Sequence, residues 1–271
     1  MEKKGYDDSK ITNNLAKIKH KIIVMSGKGG VGKSTVSSNL AFALTEKGYN
    51  VGLLDGDIHG PSIPKILGIE EKKPISKKEG IIPVEVSKNL KVISMGFFLQ
   101  DKDSPVIWRG PLKMAAMKQF IGDFYWGKLD YLIVDLPPGT GDEPLTIAQL
   151  IKDVDGAVIV TTPQDVALVS VRKSINFVKK MNMPIIGLVE NMSGFKCPHC
   201  NEEIDIFKTG GGELASKDFD INYLGNVPID PKIVLTGDSG EPFLVKNAKT
   251  EAGKSFREIV EKIEDIVNKK R

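Results

Sequence analysis

The sequence predicts an α/β fold in which a doubly wound, mostly parallel sheet is flanked by helices. Strand-like and helical segments alternate along nearly all of the 271 residues, as they do when right-handed crossovers join parallel strands. Most of the strand-like segments are continuous Val, Ile and Leu runs, a pattern typical of strands buried on both faces. Polar or Gly-rich residues follow several of these runs, and ligands of open α/β sheets bind at that end of the strands.

The elements follow one another in a regular order. The predicted strands are Lys21–Ser26, Val51–Asp55, Leu90–Met95, Tyr131–Leu136, Ala157–Thr161, Ile185–Val189 and Tyr223–Val227. The clearest predicted helices are Lys33–Lys47, Val166–Met181 and Thr250–Lys269. The Lys-rich segment Glu70–Glu85, with two prolines, is predicted to be an excursion at the surface.

The domain organisation is predicted to be simple. No Pro/Ser-rich linker or composition shift divides the chain, so residues 21–271 are expected to form one domain. Residues 1–20 are polar and charged, and we expect them to form a flexible tail.

Composition excludes several classes of protein. Hydrophobic residues make up 41% and charged residues 27%, which excludes a disordered or fibrous chain. The formal net charge of +3 is too small to predict nucleic-acid binding, and no apolar run reaches the roughly 18 residues of a membrane span. The first twenty residues lack the apolar core of a signal peptide. A cytoplasmic protein without nucleic-acid or membrane partners is expected.

A Gly-rich segment after the first strand predicts a nucleotide site, because it fits the phosphate-loop pattern G-x-x-x-x-G-K-[ST] at every fixed position. Its backbone N–H groups and the following helix N-terminus are expected to hold phosphates. Lys33 should reach the β- and γ-phosphates, and the Ser34 hydroxyl should bind Mg²⁺. The expected nucleotide-binding residues here are Gly27, Lys28, Gly29, Gly30, Val31, Gly32, Lys33, Ser34 and Thr35.

Carboxylates at the ends of two other strands extend this site. Asp135 closes an apolar strand in the Walker B pattern and is expected to hold Mg²⁺ directly or through water. The loop after it, residues 137–142, has the glycines of a loop that senses the γ-phosphate. Asp55 is expected to support the Mg²⁺ site. Asp57, farther into its loop, is expected to orient the attacking water, with Asp142 as the alternative.

The two cysteines of the chain, Cys197 and Cys200, lie in a Cys-Pro-His-Cys segment after the sixth predicted strand. Three interpretations stay open: a redox dithiol, half of a Cys₄ zinc site, or half of a Cys₄ iron–sulfur site. Either metal site would lack two thiolates in one chain. A symmetric dimer would supply four at its two-fold axis.

Together these motifs carry a resemblance. The phosphate loop, with its extra lysine, resembles the deviant Walker A motif of the MinD/ParA/nitrogenase-iron-protein superfamily of P-loop NTPases. The chain also resembles the Mrp/ApbC/Nbp family of iron–sulfur carrier ATPases. The segments that carry this second resemblance are residues 55–62, residues 135–142, Asn191-Met192-Ser193 and residues 197–200.

The resemblance implies a homodimer closed around two ATP molecules, with Lys28 contacting the phosphates of the partner subunit. It implies that Asn191 binds the adenine edge and that the loop at Pro228 packs near the base. Cys197 and Cys200 would hold a bridging [4Fe–4S] cluster that is delivered to apo iron–sulfur proteins. The implied cofactors are ATP, Mg²⁺ and this cluster, and catalysis would rest on Lys28, Lys33 and Asp57.

Two other functions stay open. A spatial-positioning ATPase of the MinD or ParA kind would need a membrane helix or a basic DNA-binding face. The C-terminal segment has an apolar stripe, but Glu258, Glu261, Glu264 and Asp265 interrupt its polar side, so docking on the core is expected. The second alternative is an ATP-driven iron–sulfur reductase.

Overall fold

A computed structural model describes residues 8–98 and 117–269. Its strands are β1 (Ile18–Met25), β2 (Val51–Asp55), β3 (Ile75–Lys77), β4 (Gly80–Ile82), β5 (Val84–Ser87), β6 (Leu90–Ser94), β7 (Leu129–Asp135), β8 (Gly156–Thr161), β9 (Ile185–Lys196), β10 (Glu203–Ile204) and β11 (Tyr223–Ile229). Its helices include α1 (Asp8–Leu15), α2 (Lys33–Glu46), α3 (Ile63–Ile66), α4 (Asp142–Leu150), α5 (Asp165–Lys180), α6 (Gly211–Phe219), α7 (Pro231–Ser239), α8 (Phe243–Asn247) and α9 (Glu251–Lys269).

One twisted sheet organises these elements. Its strand order is β10-β9-β8-β1-β7-β2-β6-β5, and β11 also pairs with β9. The pairs among β1, β2, β6, β7, β8, β9 and β11 are parallel, whereas β5 and β10 run antiparallel to their neighbours. This confirms the predicted doubly wound, mostly parallel sheet. Since parallel strands end at the same edge, the loops after β1, β2, β7 and β9 share that edge.

Helices bury the two faces of the sheet in two apolar clusters. The first cluster includes side chains of α2 and α9, and the second includes side chains of α1, α4 and α5. In α9 the apolar stripe packs into the first cluster, with Phe256, Ile259 and Val260 each at most 1% exposed. Glu264 of the same helix accepts a hydrogen bond from Lys47. The C-terminal helix therefore docks on the core, as expected, and none of the described helices is long and apolar enough to cross a membrane.

The N-terminal region differs from the expectation of a flexible tail over residues 1–20. Residues 8–15 form α1, and β1 begins at Ile18 rather than Lys21. Ile11, Leu15 and Ile18 are at most 4% exposed, and Asn14 donates a hydrogen bond to the Gly122 carbonyl (2.8 Å). The spacing of four residues places Ile11 and Leu15 on one face of α1, and the sequence prediction overlooked this short helical pattern. Residues 1–7 lie outside the described part of the chain.

Two other segments also differ in extent from their predictions. The surface excursion at residues 70–85 contains a small antiparallel hairpin, β3–β4. Strand β9 continues seven residues past Val189 to Lys196, because β11 and β10 pair with its far end. Asn191 therefore lies inside a strand, and Cys197 follows that strand directly.

Candidate nucleotide site and cysteine knuckle

The loop between β1 and α2 has the backbone that a phosphate loop needs. Gly30 and Gly32 have φ angles of 80° and 77°, in the left-handed region that favours glycine. A Cβ at Gly27 would lie 2.2 Å from the carbonyl oxygen of Ser170 in α5, so the start of the loop accepts no side chain. Helix α2 begins at Lys33 and directs its N-terminus into the loop. The backbone thus forms an anion-binding concavity.

Asp135 at the end of β7 connects the phosphate loop to the centre of the sheet. Its buried carboxylate lies 2.7 Å from the Lys33 ammonium and accepts hydrogen bonds from the hydroxyls of Ser34 and Ser37, each at 2.6 Å. Three residues that the sequence predicted for phosphate and Mg²⁺ binding are therefore together. Ser37 was missed, although its spacing of one helical turn from Lys33 places both on the same face of α2.

A second buried carboxylate, Asp55, lies beside Asp135. It pairs in register with Asp135 and Ser94 on the neighbouring strands, and it accepts a hydrogen bond from the Ser94 hydroxyl (2.9 Å). Burial, with a smaller effect from the nearby Asp135 charge, raises the pKa of Asp55 to about 7. Two adjacent buried carboxylates favour a cation between them or a shared proton, which fits a magnesium site. Sequence reasoning missed Ser94, since only the strand order brings it here.

The remaining predicted catalytic residues lie in the surrounding loops. Asp57 is half-buried, and its Oδ1 accepts hydrogen bonds from the backbone N–H groups of His59 and Gly60, both at 3.1 Å. Lys28 is exposed near the tip of the phosphate loop, and Asp142 is exposed at the start of α4. Among the described residues, no hydrogen bond or ion pair joins the side chains of Asp57, Lys28 and Asp142 to Lys33 or Asp135.

The loop after β2 also contacts the first turn of α4. His59 Nε2 lies 3.1 Å from Glu143 Oε1, a partner that no sequence motif indicated. The loop after β7 is fixed in turn to the phosphate loop, because Gly139 N–H donates to the Ser26 carbonyl (2.8 Å). These two contacts join the segments that would surround the γ-phosphate.

A cavity of about 460 Å³ opens beside the phosphate loop. Gly32, Thr35, Asn191 and Pro228, all predicted nucleotide-binding residues, line it together with Phe207, which sequence reasoning missed. The Asn191 amide is 5% exposed and donates a hydrogen bond to the Val31 carbonyl (2.9 Å). The volume lies within the range of small-ligand sites, and a nucleoside would fill it next to the phosphate loop.

The two cysteines form a tight turn between β9 and β10. Cys197 N–H donates to the Glu202 carbonyl, and Asn201 N–H donates to the Cys197 carbonyl, both at 2.9 Å. The backbone N–H groups of Cys200 and His199 point to the Cys197 sulfur and lower the pKa of that thiol. We call residues 197–202 the cysteine knuckle.

The knuckle suits a metal better than a redox dithiol. A dithiol of the thioredoxin kind needs a helix that begins at its first cysteine, whereas a turn follows Cys197 here. Within residues 8–98 and 117–269, no group of three or more His, Cys, Asp or Glu side chains could hold a metal ion. The sequence has two cysteines, which is half the number of thiolates in a Cys₄ site.

Comparison with known proteins identifies the family. The family model described as "ParA: NUBPL iron-transfer P-loop NTPase" matches residues 17–264. The chain is 52% identical over 264 residues to an iron-sulfur cluster carrier protein of Methanocaldococcus jannaschii, covering 97% of this chain and 90% of the relative. It is 51% identical over 249 residues to a cytosolic Fe-S cluster assembly factor NUBP2 homolog of Dictyostelium discoideum, covering 89% and 94%.

Solved structures agree with this assignment. A nucleotide-binding protein from Archaeoglobus fulgidus, in complex with ADP, superposes with a TM-score of 0.78 at 39% identity, covering 89% of this chain and 94% of that one. The septum site-determining protein MinD of Pyrococcus horikoshii, complexed with Mg-ADP, superposes with a TM-score of 0.67 at 22% identity, covering 93% and 99%, and shares the fold. On the family match and the near-complete alignments, the chain belongs to the ParA/NUBPL family of iron-transfer P-loop NTPases.

Proposed function

We propose that this protein is an ATP-hydrolysing carrier that holds a [4Fe–4S] cluster between two copies of the chain and transfers it to apoproteins. The observation that carries the proposal is the cysteine knuckle, which follows directly the strand that contacts the phosphate loop. The relatives named iron-sulfur cluster carrier protein support it, because they align with nearly the whole chain.

ATP would bind across the phosphate loop and the 460 Å³ cavity. Lys33 would leave Asp135 for the β- and γ-phosphates, while Ser34 and Asp135 would hold Mg²⁺ through oxygen atoms. Asn191 would bind the adenine edge, and Pro228 would pack near the base. Phosphoryl transfer needs positioning more than proton abstraction, and we assign the orientation of the attacking water to Asp57.

The cluster would be cargo on the knuckle. Thiolates are the ligands of iron–sulfur clusters, and the lowered pKa of Cys197 favours that form. Two cysteines from each chain complete a Cys₄ set only when two copies meet on a two-fold axis. Both thiols are accessible, since Cys197 is partly exposed and Cys200 is exposed, as a site that exchanges its cargo requires.

Lys28 would connect hydrolysis to the same dimer. It is exposed near the tip of the phosphate loop, where it would be available to a second subunit. A cation supplied across an interface stabilises the charge of the transition state only when the dimer is closed. ATP binding and closure would then place the two knuckles side by side.

The two lysines of the phosphate loop should separate binding from hydrolysis. Lys33→Ala should abolish ATP binding, because it removes the cation that faces the β- and γ-phosphates. Lys28→Ala should bind ATP normally but hydrolyse it at least about 100-fold more slowly, the loss typical of one missing transition-state donor. Calorimetry and phosphate release measure the two effects, with the exposed Lys217→Ala as control. A wild-type rate in Lys28→Ala would contradict the closed dimer.

Asp57 should act in hydrolysis alone. Asp57→Asn keeps the Oδ1 acceptor for the backbone of His59 and Gly60, so the loop should hold its shape. We expect ATP affinity close to wild type and turnover lower by about 100-fold, because the amide orients water poorly. Single-turnover measurements check this. Unchanged turnover would reassign the role to Asp142.

Asp55 should make stability depend on pH in a predictable direction. Its folded pKa of about 7 exceeds the ordinary value of 3.8, so the folded state binds the extra proton between these values. Its contribution to stability therefore falls as pH rises from about 4 to 7 and is constant above. The melting temperature of Asp55→Asn minus that of wild type should be more positive at pH 8 than at pH 5, without nucleotide. An equal difference in melting temperature at pH 5 and pH 8 would contradict the raised pKa of Asp55.

The cysteine variants test the carrier directly. Anaerobic reconstitution should give a brown wild-type dimer with about four Fe per two chains, following Cys₄ ligation. Cys197→Ser or Cys200→Ser removes two of the four ligands per dimer, so the cluster should be lost or labile while ATP binding persists. Transfer to an apo-dehydratase should fail in both variants.

His199→Ala is the matched control, since His199 lies in the same turn and is assigned no ligand role. It should keep the cluster and its transfer. A colourless protein with one Zn per dimer would contradict the carrier and indicate a structural zinc site instead. Iron retained and transferred by the double cysteine variant would contradict the proposal outright.

A further inference from the structure

Glu190 in β9 is a fully buried carboxylate that the proposed hydrolysis does not use. Its oxygens accept hydrogen bonds from the Ser193 hydroxyl and from the backbone N–H groups of Gly210 (2.9 Å) and Gly212. These partners, which the described residues supply, are neutral. A buried carboxylate is costly unless such donors are held in place for it.

The chain around the carboxylate is shaped to fit it. A Cβ at Gly212 would lie 2.9 Å from Glu190 Oε2, and a Cβ at Gly211 would lie 2.4 Å from the Pro163 carbonyl oxygen. The start of α6 therefore approaches β9 at Gly212, and the Pro163 carbonyl at Gly211, more closely than a side chain allows. Met192, with a φ of 58°, kinks the strand. The kink returns Ser193 to Glu190, which in a regular strand would lie on the opposite face.

Glu190 contacts the segments on both sides of the cysteine knuckle. On the upstream side, β9 continues from Glu190 to its end at Lys196, and Cys197 follows directly. On the downstream side, β10 pairs back onto Phe195 and Lys196, and the chain reaches Gly210 a few residues later. The carboxylate thus fixes the two ends of the segment that carries both thiols.

The same residue is next to the nucleotide site. Asn191 follows Glu190 directly, donates to the Val31 carbonyl of the phosphate loop and lines the 460 Å³ cavity. A nucleoside in that cavity would meet Asn191, and any displacement of the strand there acts on Glu190 through one peptide unit. The hydrogen bonds that the Glu190 carboxylate accepts from the backbone N–H groups of Gly210 and Gly212 then convey the displacement to the start of α6.

We propose that Glu190 is a positioning residue that couples the nucleotide site to the cysteine knuckle, so that bound nucleotide changes the accessibility of the two thiols. This inference rests on the proposed function for its biological meaning, since such coupling would link nucleotide state to the holding or release of the cluster. It requires only that the nucleotide bind one arrangement of β9 and the knuckle better than another.

Thiol alkylation of the metal-free chain tests the coupling. The only two cysteines of the sequence are those of the knuckle, so every alkylation event reports on it. In wild-type protein, Mg-ATP should change the iodoacetamide rate by about fivefold or more, the lower end of typical coupling between sites. Glu190→Gln keeps the size of the side chain but replaces one acceptor oxygen with an NH₂ donor. That NH₂ group would face a backbone N–H, so one of the hydrogen bonds to the α6 start would be lost. The variant should bind Mg-ATP comparably and abolish the rate change.

Glu264→Gln is the matched control, because Glu264 is also a buried carboxylate but contacts Lys47 in the α2–α9 layer. It should retain the wild-type response. Ser193→Ala removes one hydrogen-bond donor to Glu190 and leaves the carboxylate in place. It should weaken the change in alkylation rate caused by Mg-ATP, and it is the deciding variant if Glu190→Gln fails to fold.

Two results would overturn the proposal. The first is an alkylation rate that Mg-ATP leaves unchanged in the wild-type protein. The second is a full wild-type change in rate in Glu190→Gln or, if that variant does not fold, in Ser193→Ala. The experiment contains no iron. A chain that fails to take up a cluster yet shows Glu190-dependent alkylation would refute the carrier and leave the coupling standing.

Discussion

The carboxylate of Asp135 is the group on which the nucleotide site depends. It is fully buried at the end of β7, between β1 and β2, and a charge in that place is stable only when paired and hydrogen-bonded. Lys33, Ser34 and Ser37 supply those partners from the first turns of α2. The pairing therefore fixes the helix, and with it the phosphate loop, to the centre of the sheet. The same lysine and hydroxyl are the groups that phosphates and Mg²⁺ would draw away, so these side chains hold the loop and the helix in the arrangement that ligands would use.

Much of this arrangement could be predicted from the sequence because it depends on short-range patterns. The phosphate loop, the strand-end Asp55 and Asp135, and the alternation of strands and helices are each encoded within a few residues. In a parallel sheet, the common edge of the strand ends then brings these segments together. The apolar stripe of α9 also predicted correctly that this helix docks on the core, because helical periodicity indicates which face is buried.

Other features depend on contacts between distant segments, and no local pattern reveals them. Ser94 meets Asp55 only because β6 lies beside β2, and β9 is long only because β10 and β11 pair with its end. The anchoring of α1 also includes a distant contact, since Asn14 donates a hydrogen bond to the Gly122 carbonyl. Glu190 is the clearest case. A glutamate in a strand gives no sign of burial until the glycines of residues 210–212 are seen to bring their backbone against it.

The two thiols of the knuckle have a consequence for mass action in the proposed carrier. A cluster held by thiolates of two chains would couple cluster binding to dimerisation, so that each would strengthen the other. Dilution, or anything else that separates the subunits, would then weaken cluster binding without a change at the sulfur atoms. An acceptor with thiolates of its own would compete with the departing subunit, and cluster release would depend on subunit exchange.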